Sequence, residues 1–238
     1  MLPTITKDQV SGDAYLNLSC PACACLPVPH FKDGRYFIDR CPDCDFVYVR
    51  NVPADTPGAV RAGSAARTRT AGRLSKRIEN WMHVKRIASY AHGRRRLLHI
   101  GCGDGHLLSS LHGTGKFTVE GIDATMPPTK FAGFSVKTGN LVNQVYPDER
   151  FDFIVGIHML DRVHHLGEFF LEVKRVLSKH GRAYFVLHRG AYIEPPDRLW
   201  QFSVSALQLL FAYHGFRVLF TRRTFGRPRL AVLTEKFY

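Results

Sequence analysis

Four cysteines stand in two pairs, Cys20-Pro21-Ala22-Cys23 and Cys41-Pro42-Asp43-Cys44, with seventeen residues between the pairs. Two Cys-x-x-Cys knuckles at this spacing can bring four thiolates to one point. Tetrahedral Zn2+ suits them, because soft thiolates favour it and it does not change redox state. Between the pairs, Phe31, Tyr36, Phe37 and Ile38 flank Lys32-Asp33-Gly34-Arg35, which predicts a β-hairpin with an Asp-Gly turn. The pattern is that of a zinc ribbon. A closed four-cysteine site has no open position, so its metal is expected to be structural. Such pairs can instead form disulfides or a redox centre. The opening Met1-Leu2-Pro3-Thr4-Ile5 lacks a basic stretch followed by an apolar one, which reads against a secretory signal and therefore against disulfides. Ala24 and Asp45 occupy the place after the second cysteine of each knuckle, where glycine often supplies a positive φ. Cys25 is near enough to substitute as a ligand, whereas Cys102 reads as a small buried residue.

A second constellation is Gly101-Cys102-Gly103-Asp104-Gly105, after the apolar run Arg96-Leu97-Leu98-His99-Ile100 and before a short helical stretch at 106–112. Glycines there let the backbone approach a ligand. The spacing is not Gly-x-Gly-x-x-Gly, because His106 takes the last place, and no Gly-Lys-Ser/Thr follows as in a P-loop. Eighteen residues after Gly105, Asp123 closes the next apolar run. A carboxylate at that place can accept both ribose hydroxyls of an adenosine cofactor.

These residues need a scaffold, and the patterning supplies one. Strands are predicted at 96–100, 117–123, 134–137, 151–155 and 182–187. An amphipathic helix is predicted at 167–179 with Phe170, Val173, Val176 and Leu177 inward and Gly181 closing it. Ser205 and Gln208 suggest a capping box for a helix running to His214, with Leu207, Leu210 and Phe211 on one face. Segments 216–224 and 229–238 read as two closing strands, an antiparallel pair. Upstream, prolines and glycines at 51–72 indicate an irregular linker. Leu74, Ile78, Trp81, Val84, Ala88 and Ala91 then give a helix over 73–92. Alternating strands and helices imply an α/β fold, a Rossmann-like, mostly parallel sheet with an antiparallel last strand, whose ligand sits at the carboxyl ends of the strands.

The stretch Leu97 to Leu108 resembles the glycine motif of class I S-adenosylmethionine-dependent methyltransferases. Thr138-Gly139-Asn140-Leu141 resembles their segment after the third strand, where a side chain meets the adenine amino group. Phe151 to Val163, and Phe169 to Leu187, resemble their fourth strand and the following helix and strand. Trp200-Gln201-Phe202-Ser203 to Phe216 resembles a late segment. The resemblance covers about residues 95–220 and, since members with an N-terminal zinc ribbon occur, extends toward the whole chain. It implies S-adenosylmethionine as cofactor, met by His99, Gly101, Cys102, Gly103, Gly105, Asp123, Asn140, Leu141 and Ile157. The expected organisation is a ribbon at 1–50, a basic linker and helix at 51–93 and a methyltransferase domain at 94–238. The pattern departs from the family at three places. His99 stands where an acid usually helps hold the methionyl ammonium, Asn140 where Asp is common, and Arg162 where a second His is frequent.

Methyl transfer needs a positioned acceptor and a base with a pKa near working pH, a role that suits histidine. His158, His164 and His188 are the candidates in that order, with Asp161 placed to orient a neighbour. The branch resembled often modifies sugars, lipids or natural products, so the expected acceptor is a small or carrier-linked metabolite, methylated on oxygen or carbon. Asn/Asp-Pro-Pro-Tyr/Phe and a Pro-Cys nucleophile are both missing near the fourth strand, which lowers nucleobase methylation.

The net charge of +13 is uneven: residues 1–50 carry −1, residues 51–96 carry +9 and residues 97–238 carry +5. The basic stretch suits RNA or another polyanion, so an RNA methyltransferase docked through ribbon and linker is the alternative reading, and a non-catalytic binding protein is the third. No apolar run is long enough to span a bilayer, and the expected compartment is the cytoplasm. Oligomeric state is not legible.

Overall fold

The structure is a computed structural model that describes residues 4–7, 14–17, 19–53, 73–188, 193–224 and 229–237. The N-terminal part contains β1 (Thr4–Lys7), β2 (Ala14–Asn17), β3 (Val28–Asp33), β4 (Tyr36–Arg40), β5 (Val47–Val49) and β6 (Asn51–Pro53). Helix α1 (Arg73–Ala91) leads into β7 (Arg96–Ile100), α2 (His106–His112), β8 (Thr118–Asp123), β9 (Thr129–Phe131), β10 (Phe134–Thr138) and β11 (Phe151–Ile157). Then come α3 (Leu166–Val176), β12 (Leu177–His188), β13 (Trp200–Gln201), α4 (Val204–Tyr213), β14 (Phe216–Thr224) and β15 (Arg229–Lys236).

The main sheet has eight strands in the order β14-β15-β12-β11-β7-β8-β10-β9. Strands β10, β8, β7, β11 and β12 are parallel, while β15 runs antiparallel to β12 and β14 antiparallel to β15. Side chains alternate between the two faces, and helices cover both. Leu97, Val119, Phe153 and Tyr184 pack with Ile87 of α1 and Leu108 and Leu111 of α2. Their neighbours Leu98, Ile154 and Phe185 pack with Phe170 of α3, Phe211 of α4 and the cysteine-rich segment. Strand order reverses between β7 and β11, so the carboxyl ends of these two strands bound the crevice where such sheets bind ligands.

The ribbon hairpin forms as expected, with Gly34 at φ 56° in its turn. Its sheet has a strand from outside the ribbon, however: the order is β13-β5-β4-β3. A further three-stranded sheet, β1-β2-β6, takes residues 51–53 out of the anticipated linker, and 54–72 lie outside the described residues.

Several expectations are corrected. Helix α1 has the anticipated extent but a different phase. His83, Ile87 and Ala91 are buried, whereas Ile78 and Trp81 are 51% and 60% exposed. The inward stripe follows an i, i+4 row, and Asn80 Nδ2 donates to Ser110 Oγ of α2 at 2.7 Å, which fixes the rotation. Helix α3 stops at Val176 rather than 179, because Leu177 turns to extended backbone (φ −85°, ψ 131°) and opens β12. Ser203, not Ser205, caps α4: its Oγ accepts from the Ala206 amide at 2.9 Å. Strand β10 is preceded by a hairpin partner, β9, that patterning did not show.

Candidate functional site

The two knuckles are built alike. The Ala24 amide donates to the Cys20 carbonyl at 2.8 Å and the Asp45 amide to the Cys41 carbonyl at 3.0 Å. Cys20 N donates to Cys25 O at 3.1 Å, and Cys41 N to Phe46 O at 2.8 Å. Ala24 and Asp45 both adopt φ 60°, the left-handed turn that the knuckle requires despite the missing glycines. The Sγ atoms of Cys20, Cys23, Cys41 and Cys44 all lie within 4.8 Å of one another. Individual separations are 3.5 Å (Cys20 to Cys44), 3.4 Å (Cys23 to Cys41) and 3.8 Å (Cys23 to Cys44). A disulfide needs an S–S distance of about 2.05 Å. A tetrahedral cation with metal–sulfur bonds of about 2.3 Å places its sulfurs about 3.8 Å apart. The geometry therefore fits a metal and not a disulfide. Burial raises the Cys20 thiol and pushes Cys44 up to about 12, so four thiolates coexist there only around a cation. Cys25 does not join the four. Its Sγ donates to Asp43 Oδ2 at 2.6 Å on the outer side.

The glycine turn leaves β7 in the left-handed region at all three glycines, with φ 69°, 55° and 74° at Gly101, Gly103 and Gly105. The Gly101 and Cys102 amides donate to the Ile122 carbonyl at 2.8 and 3.2 Å, which ties the turn to β8. A Cβ at Gly101 would stand 3.1 Å from Met159 Cβ, so the turn rests against the segment that follows β11. A Cβ at Gly103 would meet nothing within 4 Å. That open side, with backbone exposed beneath it, is the cradle a cofactor's amino-acid tail would fill. Asp123 ends β8 at 9% exposure. Its Oδ1 accepts from Thr125 N, Thr125 Oγ1 and Met126 N at 2.9, 2.7 and 3.2 Å, and its Oδ2 accepts from Gly103 N at 2.8 Å. Oδ2 thus keeps capacity for a ribose hydroxyl. Cys102 is buried, and burial pushes its thiol up to about 12, which favours the neutral thiol. Gly139 N donates to the Asp123 carbonyl at 3.0 Å, placing Asn140 and buried Leu141 at the end of β10 beside the carboxylate.

His99 lies on β7 between Val155 and Gly121 of the adjacent strands, 4% exposed. Burial, then the nearby His83, lowers its pKa to about 4, with Asp123 opposing. The ring is therefore neutral at working pH.

Beyond Ile157 the chain enters the left-handed region at His158, φ 55°, with its amide donating to Val186 O at 2.7 Å. A non-glycine residue held there is strained, and such strain clusters at functional sites. The turn lays the His158 ring on that of His188, centroids 4.0 Å apart. His188 Nδ1 is 3.5 Å from Asp161 Oδ2, and Arg198 Nε is 3.8 Å from the same oxygen. The Asp161 side chain is 4% exposed. His164 sits deeper, 1% exposed. Sequence reading placed Asp161 as an orienter without naming its partner, and missed Arg198. The signal for Arg198 was absent, because it lies 37 residues from Asp161 in an irregular stretch.

A family model described as "Methyltransferase domain" matches residues 73–227. No curated protein matches. Among solved structures, a Burkholderia thailandensis 1,6-didemethyltoxoflavin-N1-methyltransferase with bound 1,6-didemethyltoxoflavin and S-adenosylhomocysteine aligns at TM-score 0.56 and 17% identity, over 88% of this chain and 99% of that one. A Methanosarcina mazei S-adenosylmethionine-dependent methyltransferase aligns at TM-score 0.51 and 21% identity, over 64% of this chain and 97% of that one. A [4+2]-cyclase aligns at TM-score 0.55 and 14% identity, over 66% of this chain and 80% of that one. With a match over more than half of its length and a sheet of this order, the chain belongs to the class I S-adenosylmethionine-dependent methyltransferase family.

Proposed function

We propose that the protein transfers a methyl group from S-adenosylmethionine to oxygen or carbon of a small or carrier-linked metabolite, such as a sugar, lipid or natural-product intermediate. The observation that carries this reading is the His158, His188 and Asp161 cluster at the carboxyl ends of β11 and β12, beside the open glycine turn. The cofactor, when bound, supplies an electrophilic methyl on a sulfonium. The turn from Gly101 to Gly105 holds its tail, and Asp123 Oδ2 takes a ribose hydroxyl. Asp161 Oδ2 lies 3.5 Å from His188 Nδ1, an ion-pair separation; a small closure to hydrogen-bond distance would hold the ring's proton on that side and leave Nε2 as the basic nitrogen. His188 removes the acceptor's proton, and His158 stacks against it and fixes its plane. This places His188 ahead of His158 and His164 as the base. Zn2+ in Cys20, Cys23, Cys41 and Cys44 is structural. The cytoplasm is the proposed compartment, where four cysteines gathered for a metal rather than paired as disulfides would stay reduced.

RNA docking through the ribbon is the weaker reading. Residues 19–50 carry four Lys/Arg and four Asp. Arg40 pairs with Asp45 at 2.5 Å and Arg50 with Asp39 at 3.1 Å, so the ribbon presents a balanced rather than a cationic face.

Calorimetric titration of the metal-loaded protein with S-adenosylhomocysteine, NADH serving as control, tests the cofactor site. The expected result is micromolar binding that Asp123→Ala abolishes. An absence of binding at millimolar ligand overturns it and leaves a binding protein on this fold. Once an acceptor is known, Asp161→Asn is expected to lower kcat by about 10²–10⁴-fold with S-adenosylhomocysteine affinity unchanged. Full turnover in that variant removes the dyad.

A further inference from the structure

The ribbon is wired to the acceptor side of the cleft. Strand β13 pairs with β5, Trp200 opposite Tyr48 and Gln201 opposite Val47. One residue earlier, Leu199 uses both backbone groups: its carbonyl accepts from Val49 N at 3.0 Å, and its amide donates to the Asp161 carbonyl at 2.9 Å. Leu199 therefore bridges the ribbon sheet and the residue that faces His188. Trp200 Nε1 donates to the Val163 carbonyl, a second tie to the same turn. Phe46 stacks on Trp200 and Phe202, with centroids 6.0 and 4.9 Å away. On the other flank, the hydroxyls of Ser203 and Ser205 both donate to the carbonyl of Cys44, at 2.8 and 3.0 Å. That carbonyl belongs to one of the four clustered cysteines.

We infer that the four-cysteine ribbon is a positioning device for the acceptor base, in which metal at Cys20, Cys23, Cys41 and Cys44 holds β5 and the Cys44 carbonyl in place, and these hold Asp161 through Leu199. The inference rests on the reading of Asp161 and His188 given above. Its physical basis is a hydrogen-bonded path from β5 through Leu199 to Asp161, flanked by the stacked rings of Phe46, Trp200 and Phe202. The knuckles need help to persist. Ala24 sits at φ 60°, a left-handed conformation that an alanine adopts only at a cost, and four thiols crowd one point. Without a cation the Cys41–Cys44 turn relaxes, β5 that follows it loses its anchor, and the Val49 amide no longer holds the Leu199 carbonyl in place. The cofactor half of the sheet, β7, β8 and β10, is not on this path.

The test compares full-length protein loaded with Zn2+ and the same protein depleted with a chelator. Hydrogen exchange is followed at 158–164 and 196–206, with the NMR signals of the His188 ring and calorimetry with S-adenosylhomocysteine. Depletion is expected to speed exchange in both segments by about tenfold or more and to displace the His188 ring signals, while S-adenosylhomocysteine affinity stays within about threefold. Re-addition of Zn2+ restores slow exchange and the original ring signals. The variant Ser205→Ala covers the case in which depletion unfolds the chain. It keeps the four cysteines and the Ser203 cap of α4 but cuts one bond to Cys44 O, and faster exchange at 158–164 is expected from it alone. Exchange at 158–164 unchanged in that variant overturns the inference, as does unchanged exchange on depletion. Exchange reads the coupling, whereas turnover in Asp161→Asn reads the base, so the two failures are separable.

Discussion

Both ring nitrogens of His99 are without a hydrogen-bond partner among the described residues, and the ring is 4% exposed. Its pKa of about 4 against 6.5 in solvent has a sign that can be tested. Between pH 6.5 and 4 the unfolded chain takes a proton that the folded ring refuses. Stability is therefore full above pH 6.5 and falls as pH drops through that window, by about 3 kcal/mol in total. Urea unfolding of the wild type and His99→Leu across this range checks it. The slope for the variant is expected to be smaller by about one proton, and equal slopes would mean that the folded ring accepts its proton. At working pH the neutral ring offers a lone pair, not a charge, where the family commonly has an acid. Residue types made the clustering of the four cysteines and the glycine turn after β7 legible, because each is written in a short local pattern. The pairing of His188 with Asp161 was not legible: 27 residues separate them, and only the parallel pairing of β11 with β12 brings their ends together.

At the scale of elements, α1 shows what periodicity can and cannot give. The helix exists where the pattern put it, but its apolar residues are spread around the axis, and the inward stripe contains His83. Burial then decides energetics. Ile87 is 0% exposed and packs on Leu97 and Leu108, so Ile87→Ala should cost about 2–5 kcal/mol. Trp81 is 60% exposed, with the Lys85 ammonium over its ring, so Trp81→Ala should change stability by less than about 0.5 kcal/mol. Chemical denaturation of the two variants reads the phase directly. A large loss at Trp81 and none at Ile87 would restore the face that the sequence pattern suggested. The ends of α3 and α4 moved for related reasons: an extended Leu177 stops one helix, and Ser203 caps the other because its hydroxyl serves Ala206 N and Cys44 O together. A pattern of residue types cannot register a partner 159 residues away.

At the scale of the whole molecule, one apolar cluster runs without a break from Cys20, Phe46 and Tyr48 of the ribbon through Trp200 and Phe202 to Phe170, Phe211 and Phe185 under the main sheet. The sequence separates ribbon and sheet by a basic stretch and so reads as two bodies. The joint was hidden because β13 has only two residues and lies in an irregular segment. A shared core of this kind couples the ribbon to the sheet. Metal-loaded protein should therefore unfold in one calorimetric transition. Binding of metal to the folded form alone stabilises it by mass action, so chelation should lower the Tm of the whole transition rather than split off an early step. Tryptophan fluorescence follows the same event, since Trp200 stacks on Phe46 of the ribbon while its indole N–H is held by Val163 of the body. A separate low-temperature transition, seen in the metal-loaded protein and abolished by chelation, would mean that the ribbon folds on its own and that its contacts with β13 carry little energy.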